Sequence, residues 1–97
     1  MSKRLVLTEE ARDDFIRLHK FICEHNPYAA NRFAKVLKQV LKQLTAHPLL
    51  GKEVSDLNIP ELRDIFIPFG QSSYVARYLV TKTEIQIIKI WHGRENR

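Results

Sequence analysis

Residues 62–94 read LRDIFIPFGQSSYVARYLVTKTEIQIIKIWHGR, and this stretch decides the fold. It breaks into three expected strands separated by two short turns. Asp64–Ile67 is the first, closed by Pro68, and Phe69 to Ser72 turns into the next. Ser73–Val80 follows, rich in residues that suit a pleated surface: Tyr74, Val75, Tyr78, Leu79 and Val80. Thr81 to Thr83 turns into Glu84–Trp91, where Ile85, Ile87, Ile88, Ile90 and Trp91 load both faces. Such loading predicts a strand covered on both sides and central in its sheet. Arg63, Arg77, His92 and Arg94 stand at the edge of this sheet and are its candidates for chemistry.

Working outward, Lys3–Leu7 has the composition of a short first strand. Thr8 offers a hydroxyl to cap a helix, and Glu9, Glu10, Asp13 and Asp14 set negative charge near its positive end. Ala11, Phe15, Leu18 and Ile22 recur as one helical stripe, and the helix is expected to stop near His25. Asn26 caps the next helix and Pro27 sits at its first position, where a missing N–H costs nothing. Ala30, Phe33, Leu37, Val40 and Leu44 form its apolar stripe, widened by Ala34 and Leu41, and Pro48 ends it. Two helices separated by one capping residue must fold back as an antiparallel hairpin. Leu49–Glu61, punctuated by Gly51 and Pro60, is a long connector, expected to touch a partner or to hold a short helical turn. The order is β-α-α-β-β-β. This is an α+β architecture, with a helical hairpin on one face of a mainly antiparallel four-stranded sheet.

The chain has 97 residues, a length that predicts one domain over residues 1–97. Its net charge is +5, with nine Lys/Arg against five Asp/Glu in residues 1–50 and seven against six in 51–97. The excess favours an acidic partner. A single cysteine, Cys23, excludes an internal disulfide and fits a reducing cytoplasm. No signal peptide is expected, because only three apolar residues follow Lys3 and Arg4 before Thr8. No apolar run approaches the roughly 20 residues that span a bilayer, so no membrane role is expected. No metal is expected either, since His19, His25 and His47 lie in different elements without acidic or thiol partners at ligand spacing. No phosphate loop or nucleophile motif points to a cofactor.

Three groups of residues remain as candidates. Arg32, Lys35, Lys38 and Lys42 line the outer face of the second helix, with no acid between Pro27 and Ala46. They read either as a solvated face or as a patch for an acidic peptide or a nucleic-acid backbone. Arg63 and Arg77 stand on neighbouring strands. Arg77 either pairs with an acid such as Asp64 or Glu84, or faces a partner across the open side of the sheet. His92-Gly93-Arg94 follows the last strand. A histidine that moves a proton near neutral pH, beside an arginine that grips phosphate by paired hydrogen bonds, suits phosphodiester cleavage. The alternative is a frayed terminus with His92 packed on Trp91.

Four pieces in this order resemble the RelE/ParE superfamily of bacterial type II toxins over nearly the whole chain. They are Leu44 to Gly51, similar to that family's L-x-x-x-P-x-x-G signature; Glu61-Leu62-Arg63; Tyr74–Val80; and Ile88 to Arg94. The resemblance implies a toxin of a plasmid-stabilisation (addiction) module, neutralised in a hetero-oligomer by a cognate antitoxin and touching operator DNA only through it. The ParE-like branch poisons DNA gyrase, and the RelE-like branch cleaves messenger RNA on the ribosome without metal. As a nuclease the chain would use Arg63, His92 and Arg94. As a gyrase inhibitor it would bind its target through Arg63, Arg77, Trp91, His92 and Arg94. Either way Arg32, Lys35, Lys38 and Lys42 would meet the antitoxin. Ile65 and Val75 stand where the nucleases commonly carry basic residues, and the chain ends at Arg97 without their late tyrosine or histidine. The resemblance is therefore closer to the ParE-like branch. A third expectation is an inactive member of the fold that only binds partners.

Overall fold

Thr8 and Asn26 fix where the helices begin. In the computed structural model, which describes residues 2–54 and 58–95, the Thr8 side chain accepts the amide of Ala11 and opens α1, Glu9–His25. The Asn26 carboxamide accepts from Tyr28 and Ala29 and opens α2, Pro27–Ala46. Each cap answers amides that a helix start leaves without partners. α2 stops two residues before Pro48, as its sequence predicts.

The sheet has five strands where four were expected: β1 Arg4–Leu7, β2 Lys52–Glu53, β3 Leu62–Phe69, β4 Ser72–Val80 and β5 Glu84–His92. Their order is β1-β5-β4-β3-β2, with β1 parallel to β5 and all other pairs antiparallel. The added strand is two residues of the connector pairing with Asp64 and Arg63; the connector's middle, 55–57, where a short helical turn or a partner contact was expected, lies outside the described residues. So short a strand carries no periodic signal. β3 also runs through Pro68. Because β2 covers only Arg63 and Asp64, Pro68 lies on an open edge, where a missing N–H breaks no ladder.

β5 is interior, between β1 and β4, but it is not covered on both faces. The register jumps between Arg77–Lys89 and Tyr78–Ile87, which leaves Ile88 as the extra residue of a bulge. The core-facing set is therefore Ile85, Ile87 and Ile90, all fully buried, while Ile88 and Trp91 are half-buried. One apolar face with a shifted step looks, in sequence, like two.

The helices cover that single face. Ala11 and Leu18 of α1 and Phe33, Leu37, Leu41 and Leu44 of α2 pack on Ile65, Ile67, Tyr74, Ala76, Tyr78 and the three β5 isoleucines. Phe33 is the hub, with ring centroids of Tyr74 at 4.7 Å, Phe69 at 5.5 Å and Phe15 at 6.3 Å. Burying each such side chain contributes roughly 1.5–3 kcal/mol. Among the described residues, no helix is long and apolar enough to cross a membrane.

Candidate functional site

The site is built where β5 outlasts β1. β1 ends at Leu7, paired with Ile87, and α1 then takes over the pairing of β5. The Thr8 amide donates to Ile87 O at 3.0 Å and its hydroxyl to Ile88 O at 3.2 Å. Six residues further, the carboxylate of Asp14, 6% exposed, accepts the Ile90 amide at 2.9 Å. The Thr8 cap, through its amide and hydroxyl, and the Asp14 side chain thus stand in for a missing strand and dock α1 along β5 towards its end.

There the chain makes a tight turn. Gly93 N donates to Ser73 O at 2.7 Å, and a Cβ on Gly93 would lie 2.8 Å from that same oxygen, so only glycine fits. Arg94 N donates to Nδ1 of His92 at 3.0 Å, and Glu95 N to His92 O at 2.8 Å. Nδ1 is therefore an acceptor, and the neutral ring carries its proton on Nε2. The His92 ring packs edge-on against Tyr74 at 4.9 Å, not on Trp91. Burial pushes the Tyr74 phenol above its ordinary pKa, and the negative charge of Glu95 adds to the shift.

Arg17, Leu18 and Phe21 of α1 face Tyr74, His92 and Arg94 across a groove of about 610 Å³. Phe21 is 61% exposed. Arg17 reaches Glu95 at 2.8 Å and Asp14 at 3.6 Å, and the hydrogen bond to Glu95 holds its guanidinium above the usual arginine pKa. Among the described residues the Arg94 guanidinium makes no ion pair or hydrogen bond. An open apolar groove with a cation at its rim can bind an apolar segment bearing an acid.

Arg77 and Trp91 lie elsewhere, on the sheet face away from the helices. The Arg77 guanidinium donates to both oxygens of Asp64, at 2.8 and 3.1 Å, and sits 5.2 Å from the Trp91 ring centroid. Of the two acids considered from sequence, Asp64 is the partner. Glu84 is bonded by Arg4 and Gln86, which lower its pKa. Arg63 is further still. It pairs in register with Tyr78, four residues along β4 from Tyr74, the partner of His92. That is about 13 Å along the strand, plus two strand spacings totalling about 10 Å across. Its guanidinium donates to Gly51 O at 2.7 Å, with Leu49 O and Glu53 at 3.4 Å. The Tyr78 hydroxyl, its pKa raised by burial, donates to Pro48 O at 2.8 Å and accepts from Gly51 N at 2.7 Å. Together Arg63 and Tyr78 pin the Pro48–Gly51 turn.

Arg32, Lys35, Lys38 and Lys42 are all exposed on α2, and among the described residues none makes an ion pair. Beside them Val40 and Gln43 of α2, Ile65 and Phe66 of β3, and Leu50 line a second groove of about 450 Å³. Leu49, Leu50 and Phe66 are 68, 53 and 57% exposed.

Of the residues singled out from sequence, then, the fold joins His92 to Arg94 and Arg77 to Trp91, and sets Arg63 apart. Sequence reasoning missed Arg17, Phe21, Leu49 and Leu50. Phe21 lies off the apolar stripe of α1, and two leucines stand in a connector, so misplaced apolar residues were the available signal. Among the described residues no three His, Cys, Asp or Glu gather to hold a metal ion.

Residues 5–97 match the family model described as the ParE toxin of type II toxin–antitoxin systems, parDE. The chain is 38% identical over 97 residues to Toxin RelE1 of Caulobacter vibrioides, covering 100% of both. It is 30% identical to Toxin RelE3 of that organism, covering 98% of this chain and 99% of the relative. Toxin ParE3, also from there, is 29% identical over 96% of this chain and 89% of its own. A solved structure of a chromosomal ParDE toxin–antitoxin system from P. aeruginosa superposes with a TM-score of 0.73 over 94% of this chain and 96% of that one, at 20% identity. That last likeness is one of fold.

Proposed function

The chain belongs to the ParE toxin family of type II toxin–antitoxin systems, and from that premise we propose that it acts by binding DNA gyrase and not by cutting RNA. It is a toxin of this kind, and a cognate antitoxin is its expected partner. We take residues 1–97 as one toxin domain acting in the cytoplasm, where gyrase works.

The observation that supports binding over cleavage is the position of Arg63. Cleavage would need Arg63, His92 and Arg94 around one phosphate. Arg63 is instead bonded to carbonyls at the Pro48–Gly51 turn, its side chain 15% exposed, about 13 Å along the sheet from His92. Catalytic groups have to lie within hydrogen-bond reach of the atoms they serve. What remains at the end of β5 is a binding groove with Arg94 at its rim, which suits a protein contact. Arg77, tied to Asp64 and Trp91, supports the open sheet face.

For the antitoxin, an acidic amphipathic segment fits α2. Its acids would meet Arg32, Lys35, Lys38 and Lys42, and its apolar residues the groove lined by Val40, Leu50 and Phe66.

Induced expression in a bacterium tests the target. DNA synthesis and supercoiling should fail first, with messages intact. Translation stopping first, with messages cut on the ribosome, would establish the nuclease reading that the names of two relatives favour. Unimpeded growth with folded protein present would leave an inactive, partner-binding member.

A further inference from the structure

We propose that Arg17 is a positioning residue of the target-binding groove: by holding Glu95 it fixes the terminal turn that presents Arg94. This rests on reading that groove as the site where the target binds.

The Arg94 guanidinium has no partner among the described residues, and its backbone amide bonds only within the turn, to His92 Nδ1 at 3.0 Å. Its place follows from its neighbours in the turn. On one side Gly93 is fastened to β4 through Ser73 O at 2.7 Å. On the other, Glu95 is fastened to α1 through Arg17 at 2.8 Å. The Arg17 end is itself anchored, because Asp14 lies one helical turn back at 3.6 Å and is buried on the Ile90 amide. Ile90, Asp14, Arg17 and Glu95 form a chain of polar contacts from near the end of β5, out across α1 and back to the tail. Without its last link the turn would lose its tie to Arg17 of α1, one of the two ties to neighbouring elements named here. Arg94 would then sample more positions, and binding would lose the benefit of a preset cation.

The Arg17–Glu95 pair is partly exposed, with side chains 45% and 29% accessible. Its effect should therefore be small and graded, roughly two- to fivefold.

The test compares Arg17→Lys, Arg17→Gln, Glu95→Gln and the double Arg17→Gln/Glu95→Gln with the natural chain. Amide hydrogen exchange is read at Gly93 and Glu95, with Ile87 as the core reference, alongside the inducer level needed to halt growth. Both Gln variants should exchange roughly two- to fivefold faster at the two tail amides and not at Ile87, with toxicity weakened to match. The double variant should be no worse than either single one, as expected when two residues act through each other. Arg17→Lys, which keeps a charge within reach, should restore most of both signals. Additive losses in the double variant, or toxicity lost with exchange unchanged, would overturn the proposal, since Arg17 would then meet the target directly. Unchanged exchange and unchanged toxicity in Arg17→Gln would overturn it too. Should the natural chain spare DNA synthesis, the gyrase reading fails on its own, while exchange at Gly93 and Glu95 still judges the latch.

Discussion

Gly51 has no room for a side chain. A Cβ there would stand 2.5 Å from the Tyr78 hydroxyl and 2.8 Å from Asp64 O. Gly51→Ala must push Tyr78 aside, and overpacking of this kind costs about 1–3 kcal/mol, read as a lower denaturation midpoint. Tyr78→Phe tests the same knot from the other side. It leaves Gly51 N–H buried without an acceptor, a loss of about 1–3 kcal/mol. The variant should also change the pH profile. Burial raises the Tyr78 pKa, so the folded state keeps the phenol proton when the unfolded chain, ionising near 10, has lost it. The stability this gives is complete below pH 10 or so and is lost as pH rises towards the folded value. Thermal unfolding should therefore fall more shallowly above pH 10 in Tyr78→Phe than in the natural chain. Asp14 carries the third prediction at this scale. Asp14→Ala strands the Ile90 amide at about 1–3 kcal/mol, while Asp14→Asn keeps an acceptor and most of the stability. Equal losses in the two would mean that the charge beside Arg17, not the bond to Ile90, is what matters.

Among the elements, α2 shows how far periodicity reaches. Its cap, its stripe and its end were legible because each is local: Asn26 before Pro27, apolar residues at helical spacing, Pro48 beyond the last turn. The same local logic gave α1, β4 and the α+β order. It gave the short β2 nowhere, because two exposed residues of a connector pair only when β3 is already beside them. It misread β5, because a bulge at Ile88 turns a one-faced strand into a two-faced pattern. The site was legible in part. His92-Gly93-Arg94 announced itself by residue type, but Arg17 and Asp14 join it only through the docking of α1, which no spacing in the sequence encodes. The basic row on α2, which makes no ion pair among the described residues, gives the prediction that belongs here. Reversing Lys35, Lys38 and Lys42 to Glu should weaken binding of the antitoxin and flatten the salt dependence of what remains, in a titration run at several ionic strengths. Rim charges act mostly on association, so the slowing should appear there first. Unchanged affinity with all three reversed would remove this row from the interface.

For the whole molecule, the division of surfaces matters more than any one contact. The basic row and its apolar groove belong to α2 and β3, and the Arg94 groove to α1 and the end of β5. The helical hairpin carries both. Antitoxin binding and toxicity should then be separable by mutation. Arg94→Ala is the cleanest case. Arg94 is exposed and contacts nothing through its guanidinium among the described residues, so its loss should leave stability within about 0.5 kcal/mol. We expect the variant to fold, to bind antitoxin with natural affinity, and to lose its effect on DNA synthesis. The triple Lys→Glu variant should show the converse, remaining toxic while escaping neutralisation. If Arg94→Ala stayed fully toxic, the tail would not be part of the target site. If it lost antitoxin and toxicity together, one surface would serve both partners, and neutralisation would be direct competition for the groove at the end of β5.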